Sequence, residues 1–222
     1  MDYFSSMKCS LLVAGATGLV GSAVVDLALT DARFGRVINW ARRPVPQPSS
    51  PIEHWGPVNG DLSAGLRPEQ VDAVICCLGT TIRAVKGDKK AFMHVDKDLV
   101  LDLGRWASGK GVRFCVVSAM GANPRSMIFY NRVKGEMEAG LRKLDFAALH
   151  LFHPSILDGA RKDERTGERL GLAVMRAIAP ILPAASRPMP INTLAKALIE
   201  AAISDVRGTH VHTYREILEL AR

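Results

Sequence analysis

The sequence predicts an α/β fold: a doubly wound parallel sheet of Rossmann type with a small C-terminal helical extension over the carboxyl ends of the strands. Three observations predict it. Short apolar runs alternate with stretches of helical periodicity, the rhythm of βαβ units with right-handed crossovers and a sheet covered on both faces. A glycine-rich turn, Gly15-Ala16-Thr17-Gly18-Leu19-Val20-Gly21, joins the first apolar run to the first helical one. Beyond Pro154 the rhythm loosens, which marks off the extension.

The elements follow in order. Cys9–Ala14 is a strand by length and flanks, and after the turn Leu19, Val20, Ala23, Val24, Leu27 and Ala28 recur at helical spacing. Arg36–Trp40 is the second strand, stopped by Arg42-Arg43-Pro44. Proline and serine between Pro44 and Pro57 predict a loop with at most a short strand at Ile52–Trp55. Ala73–Leu78 is the fourth strand-like run, closed by Gly79. Lys89–Ser108 reads as one long amphipathic helix with Phe92, Val95, Leu99, Leu103 and Trp106 on its apolar stripe. Arg113–Ala119 is a fifth strand, Ile128–Leu144 a second long helix and Phe146–Phe152 a sixth strand. In the tail, Leu170–Ile178 and Thr193–Ile203 are predicted helices flanking a proline-rich stretch, Pro180–Pro190. Thr209–Thr213 is a candidate edge strand before a last helix from Tyr214.

A chain of 222 residues, 48% hydrophobic and 23% charged, is long enough for one domain with a sizeable core. The expectation is a single domain over residues 1–222, with 155–222 forming the substrate-side extension. Its formal charge is +7, but the 29 basic residues are dispersed among 22 acids with no long Lys/Arg run. That distribution argues against nucleic acid as the main partner and fits a small polyanion equally well. Cys9, Cys76, Cys77 and Cys115 lie in or beside apolar runs without metal-ligand spacing, and adjacent Cys76 and Cys77 should point to opposite faces of a strand. Buried reduced thiols are expected, and no metal site. Leu11–Val25 is apolar but broken by three glycines, and no stretch is long and apolar enough to span a bilayer. These features together predict a cytoplasmic protein.

The glycine turn carries chemistry. A phosphate-binding turn needs glycine where the chain reverses and where backbone must approach a pyrophosphate, and a small residue where helix meets strand. Gly15, Gly18 and Gly21 supply these in a Gly-x-x-Gly-x-x-Gly spacing, with Thr17, Leu19 and Val20 between them. The helix N-terminus would then receive the phosphate charge of a dinucleotide. An acid near the end of the second strand would bind the ribose 2′-hydroxyl of NAD. This chain has Arg42 and Arg43 there, which suit the 2′-phosphate of NADP instead, so NADPH is expected to be favoured over NADH.

Tyr130 and Lys134 stand four residues apart on a predicted helix and so share one face. Free tyrosine, with a pKa of about 10, is a poor base at neutral pH, and a lysine one turn away favours its phenolate. Tyr130 could therefore exchange a proton with a carbonyl or alcohol oxygen. Ser118, at the end of the fifth strand and twelve residues before Tyr130, could bond the same oxygen. Each feature alone is common. Their conjunction with an upstream glycine turn points to hydride transfer.

The chain resembles the atypical short-chain dehydrogenase/reductases, most closely the Tat-interacting-protein-like oxidoreductase branch. The resemblance rests on Gly15–Gly21, Cys76-Cys77-Leu78-Gly79-Thr80-Thr81, Val95-Asp96-Lys97-Asp98, Val117–Ala122, Tyr130–Glu136 and His153-Pro154-Ser155, and spans about Leu11 to Ile203. It implies an NADP-dependent oxidoreductase acting on a small carbonyl or alcohol, with Asp61 and Leu62 near the adenine and Leu78, Gly79, Thr80 and Thr81 along the ribose. It also implies Lys134 on the nicotinamide ribose, and His153, Pro154 and Ile156 at the nicotinamide end. Two positions depart from larger branches: Asp96 stands where an asparagine supports a proton relay, and Ser155 follows Pro154 where glycine is usual. The branch also includes proteins known for protein partners, so a cofactor-binding regulator is the rival expectation; an epimerase using tightly held NAD is a weaker one. Pairing of the two long helices would give a homodimer. His94 reads as an ordinary helix residue, and His210 and His212 as an alternating pair lacking a third metal ligand.

Overall fold

The computed structural model describes residues 8–41, 52–55, 66–158 and 187–222. Its centre is a seven-stranded sheet built from β1 (Cys9–Ala14), β2 (Phe34–Trp40), β3 (Ile52–Trp55), β4 (Ala73–Cys76), β5 (Arg113–Val117), β6 (Ala148–Phe152) and β9 (Gly208–His212), in the order β3-β2-β1-β4-β5-β6-β9. Every neighbouring pair is parallel. The chain runs outward from β1 to β3, then crosses back to β4 on the other side of β1. This reversal opens a crevice at the carboxyl ends of β1 and β4, where doubly wound sheets bind ligands. Ala14 pairs with both Trp40 and Cys76, so β1, β2 and β4 end level with one another at that crevice.

Strand alternation divides the core into two layers. Leu11, Val13, Ala73, Ile75 and Cys115 pack under α1 (Leu19–Thr30), α5 (Ile191–Ile203) and α6 (Tyr214–Leu220). Leu12, Ala14, Val74, Cys76, Phe114 and Val116 pack under α3 (Leu99–Ala107) and α4 (Phe129–Leu141). Cys76 and Cys77 do face opposite layers, and all four cysteines are free. Burial pushes the Cys9 and Cys76 thiols up to about 11, so they behave as small apolar side chains.

The helix expected over Lys89–Ser108 is divided. Asp88 caps α2 (Lys89–Met93) by accepting from the Lys90 and Ala91 amides at 2.8 and 3.1 Å; a π turn, His94–Asp98, follows, and α3 then resumes. The wide turn shifts the buried stripe by one position, to Phe92, Asp96, Val100, Leu103 and Ala107. A carboxylate thus sits where periodicity predicted Val95. α4 ends at Leu141 rather than Leu144, because the Lys143 and Leu144 amides turn back to Gly140 and Leu141.

In the C-terminal part, β7 (Leu157–Asp158) pairs with β8 (Met189–Pro190) just beyond the carboxyl end of β6. α5 lies against α1, and β9 extends the sheet beside β6. The predicted helix Leu170–Ile178, and Pro180–Pro190 up to residue 186, lie outside the described residues.

Candidate active site

The glycine turn is built as its spacing predicts. Gly15 has φ +83°, and a Cβ there would lie 2.8 Å from the Cys77 carbonyl, so both conformation and space require glycine. The Gly18 amide closes the turn on the Gly15 carbonyl at 2.9 Å. A Cβ on Gly21 would collide with that same carbonyl, so this glycine sets how closely α1 approaches β1. Gly18 is the N-cap of α1 and no side chain caps the helix, which leaves its first amides for an anion. Thr17 is exposed and Leu19 half-buried, whereas the Val20 side chain enters the core and offers only backbone to a ligand. A cradle without Cβ atoms at the topological switch point fits a dinucleotide pyrophosphate. Arg42, Arg43, Asp61 and Leu62 lie outside the described residues; Ala41, immediately before the arginines, leaves β2 level with the end of β1.

Across the crevice, Leu78–Thr81 leave β4. The Thr80 amide donates to Asp96 Oδ2 at 2.8 Å, and Thr81 Oγ1 accepts from the Ala84 amide at 3.1 Å. A Cβ on Gly79 would face Asp96 Oδ1 and Lys134 Nζ at 3.4 and 3.8 Å, so this loop runs directly over the lysine.

Tyr130, Lys134 and Glu138 follow one another at i, i+4 and i+8 on α4. Tyr130 is exposed, with its ring edge-on to Phe92 at 5.8 Å between centroids. Lys134 Nζ lies 2.9 Å from Asp96 Oδ1, and both side chains are almost wholly removed from solvent. Burial works against the ammonium, but Asp96, with a contribution from Tyr130, outweighs it and holds Lys134 above its ordinary value. Asp96 therefore receives two groups at once, the lysine and the loop after β4.

Glu138 was not signalled by any motif, though its i+8 spacing from Tyr130 was readable. Its carboxylate is buried. Oε1 accepts the hydroxyl of Ser118 and lies 2.8 Å from His153 Nε2. Ser118 sits just past β5, with its amide on the Phe152 carbonyl at 2.8 Å. His153 follows β6 and is held by its own amide to the His212 carbonyl at 2.8 Å. Pro154 is buried and accepts the Met120 amide at 3.3 Å, while Ile156 is exposed. Ser155 donates its hydroxyl to the Arg187 carbonyl, which ties this edge to the segment before β8. Glu138 thus joins α4 to the ends of β5 and β6. His94 is exposed on the π turn. His210 and His212 stack with His150 across β6 and β9, and among the described residues no group of three such side chains could hold a metal.

The arrangement places a phenol, a buried ammonium and a glycine turn with uncapped helix amides at the carboxyl ends of the strands, groups able to exchange a proton and to receive an anion.

Known proteins agree with this architecture. Residues 11–127 match the NAD dependent epimerase/dehydratase family. The chain is 34% identical over 164 residues to "Protein FMP52, mitochondrial" of Eremothecium gossypii, covering 73% of each. It is 29% identical over 213 residues to Protein HTATIP2 of Rattus norvegicus, covering 92% of this chain and 86% of that protein. A solved structure of MoeE5 in complex with UDP-glucose and NAD superposes with a TM-score of 0.67 at 17% identity, over 96% of this chain and 80% of that one.

One expectation falls. The cytoplasmic location is contradicted by relatives from Eremothecium gossypii and Kluyveromyces lactis, both named mitochondrial. Its premises do not distinguish compartments: buried thiols stay reduced in any reducing interior. That no helix among the described residues is long and apolar enough to cross a membrane says nothing about which compartment holds the chain. With the glycine cradle in place at the switch point and the profile match covering more than half of the sequence, this chain belongs to the NAD dependent epimerase/dehydratase family, NAD(P)-dependent enzymes of Rossmann architecture.

Proposed function

We propose that the protein is an oxidoreductase of the short-chain type that favours NADP(H) and interconverts a small carbonyl compound and its alcohol. The observation that carries this reading is the Lys134–Asp96 pair beneath Gly79, which puts the Tyr130 helix and the cofactor-side loop in one unit. Gly15, Gly18 and Gly21 hold the pyrophosphate, with Thr17 and the Leu19 and Val20 amides around it. Arg42 and Arg43 bind the 2′-phosphate, and Asp61 and Leu62 flank the adenine. Leu78–Thr81 and Lys134 line the ribose, with His153, Pro154 and Ile156 toward the nicotinamide. Bound there, the cofactor supplies or takes up the hydride at the substrate carbon.

The remaining chemistry belongs to the side chains. Tyr130, exposed at the crevice edge, gives its phenolic proton to the carbonyl oxygen in reduction and recovers it from the alcohol in oxidation. Lys134 stays an ammonium, its charge balanced by Asp96. Ser118 adds a hydroxyl at the end of β5. Ile82, Met120, Met127, Ile128 and Ile156 are exposed on the loops that follow β4, β5 and β6, an edge suited to an apolar substrate.

Fluorescence titration with NADPH and NADH tests the reading, using wild type and Arg42→Ala/Arg43→Ala in parallel. Tight NADPH binding, weaker NADH binding and loss of the preference in the variant support it. Binding of neither overturns it.

A further inference from the structure

The Ser118 hydroxyl has one proton and two lone pairs, and a carboxylate can only accept. Both contacts on Glu138 Oε1 therefore run toward it: Ser118 gives its only proton, and His153 gives its Nε2–H. Ser118 and Glu138 are buried and His153 is half-buried. Ser118 is 3% exposed and Glu138 6%, so water does not compete for these bonds. Glu138 stands one turn beyond Lys134 on α4, and Ser118 follows directly on β5, the strand between β4 and β6.

We propose that Glu138 is a positioning residue that sets the polarity of Ser118, leaving it as a hydrogen-bond acceptor at the active edge. The inference rests on the oxidoreductase reading above and sharpens it. A Ser118 oxygen with its proton committed can accept from the O–H of an alcohol. Toward a carbonyl oxygen it offers only lone pairs, which repel. Ser118 therefore holds the alcohol form of the substrate until its proton passes to Tyr130, and Tyr130 alone donates to the carbonyl form. His153 secures the device by occupying the same Glu138 oxygen and by its amide bond to β9.

The test compares matched substrate pairs: 4-nitrobenzaldehyde with 4-nitrobenzyl alcohol, cyclohexanone with cyclohexanol, and decanal with decanol. Wild type, Ser118→Ala, Glu138→Leu and Glu138→Gln are assayed in both directions with NADPH or NADP. Ser118→Ala, which leaves the Glu138–His153 contact in place, should raise the KM of the alcohol roughly tenfold, the worth of a lost hydrogen bond. The KM of the carbonyl should move less than about twofold. Glu138→Leu frees the Ser118 proton, which can then donate to a carbonyl, and should lower the carbonyl KM while moving that of the alcohol less than about twofold. Glu138→Gln keeps an acceptor oxygen and should restore the wild-type ratio of the two KM values, whatever its kcat. A Ser118→Ala variant that raises the carbonyl KM instead, or moves neither, overturns the proposal even if Glu138→Leu does not fold.

If wild type binds NADPH tightly yet turns over none of the pairs, proton NMR decides the hydrogen-bond assignment. A downfield hydroxyl proton, slow to exchange and missing in Ser118→Ala, supports the commitment of Ser118 to Glu138. Its absence from wild type overturns it. Failure to bind NADPH removes the oxidoreductase reading itself, a separate outcome.

Discussion

Lys134 and Asp96 form an ion pair shut away from solvent, Nζ to Oδ1 at 2.9 Å, at the point where α4 meets the π turn. The second Asp96 oxygen is taken by the Thr80 amide at 2.8 Å, so the carboxylate is satisfied on both sides. One acid thereby connects the helix carrying Tyr130 to the loop that leaves β4 at the crevice. Breaking such a pair strands a buried charge, whereas replacing both partners by apolar groups often costs little.

Asp96→Ala is accordingly expected to lower stability by about 3–5 kcal/mol. Asp96→Asn, which keeps an acceptor for Lys134, should lose less, and Asp96→Leu/Lys134→Met should recover most of the loss. Urea denaturation of the four proteins checks this order. A single Asp96→Ala as stable as wild type would show that the pair is solvated.

Gly21→Ala introduces a Cβ against the Gly15 carbonyl. The helix must back away from β1, at about 1–3 kcal/mol, and the cradle widens with it. NADPH affinity should fall by more than the loss of folded protein accounts for. Thermal melting with and without NADPH separates the two effects, because ligand that binds the native state alone raises the melting temperature by mass action.

Tyr130→Phe keeps the ring against Phe92 and removes the phenolic proton. Turnover should fall at least about a hundredfold, the ordinary worth of a positioned acid or base. NADPH affinity should stay within a few-fold. Steady-state kinetics and fluorescence titration on one preparation give both numbers, and unchanged turnover would remove Tyr130 from the mechanism.

His150 and His212 share a hydrogen bond, Nδ1 to Nε2 at 2.9 Å, on the β6–β9 edge. Burial, reinforced by the neighbouring imidazoles, pulls both down to about 4 from 6.5. The unfolded chain therefore binds more protons than the folded one between those values, and stability is full above about pH 6.5 and lost as pH falls toward 4. The pair shares one proton and His212 is half-buried, so the total loss is about 3 kcal/mol rather than twice that. Urea midpoints at pH 7.5 and 4.5 should show the drop, and His212→Gln should reduce it. Hydrogen exchange at pH 4.5 should open the amides of Gly208–His212 before those of β1.

Much of this architecture was legible in the sequence because it depends on neighbours along the chain. The unbroken apolar run Leu11–Ala14 announces a strand buried on both faces, and the spacing of Gly15, Gly18 and Gly21 announces a tight reversal into a helix. Tyr130 and Lys134 share a face wherever that segment is helical. Boundaries were less secure: the long helix predicted over Lys89–Ser108 breaks into a π turn, because burying Asp96 against Lys134 and Thr80 outweighs regular helical bonding there. Compartment was not readable from packing at all, since burial of a core depends on water and not on which compartment holds it.

By itself the sequence determined the sheet, the glycine cradle and the phenol–ammonium pair, all consequences of side-chain periodicity and local backbone sterics. Only the tertiary structure decided which partners complete the charges. Asp96 meets Lys134, and Glu138 gathers Ser118 and His153, because folding removes these groups from water and leaves each to be satisfied by whatever distant residue the topology brings within reach.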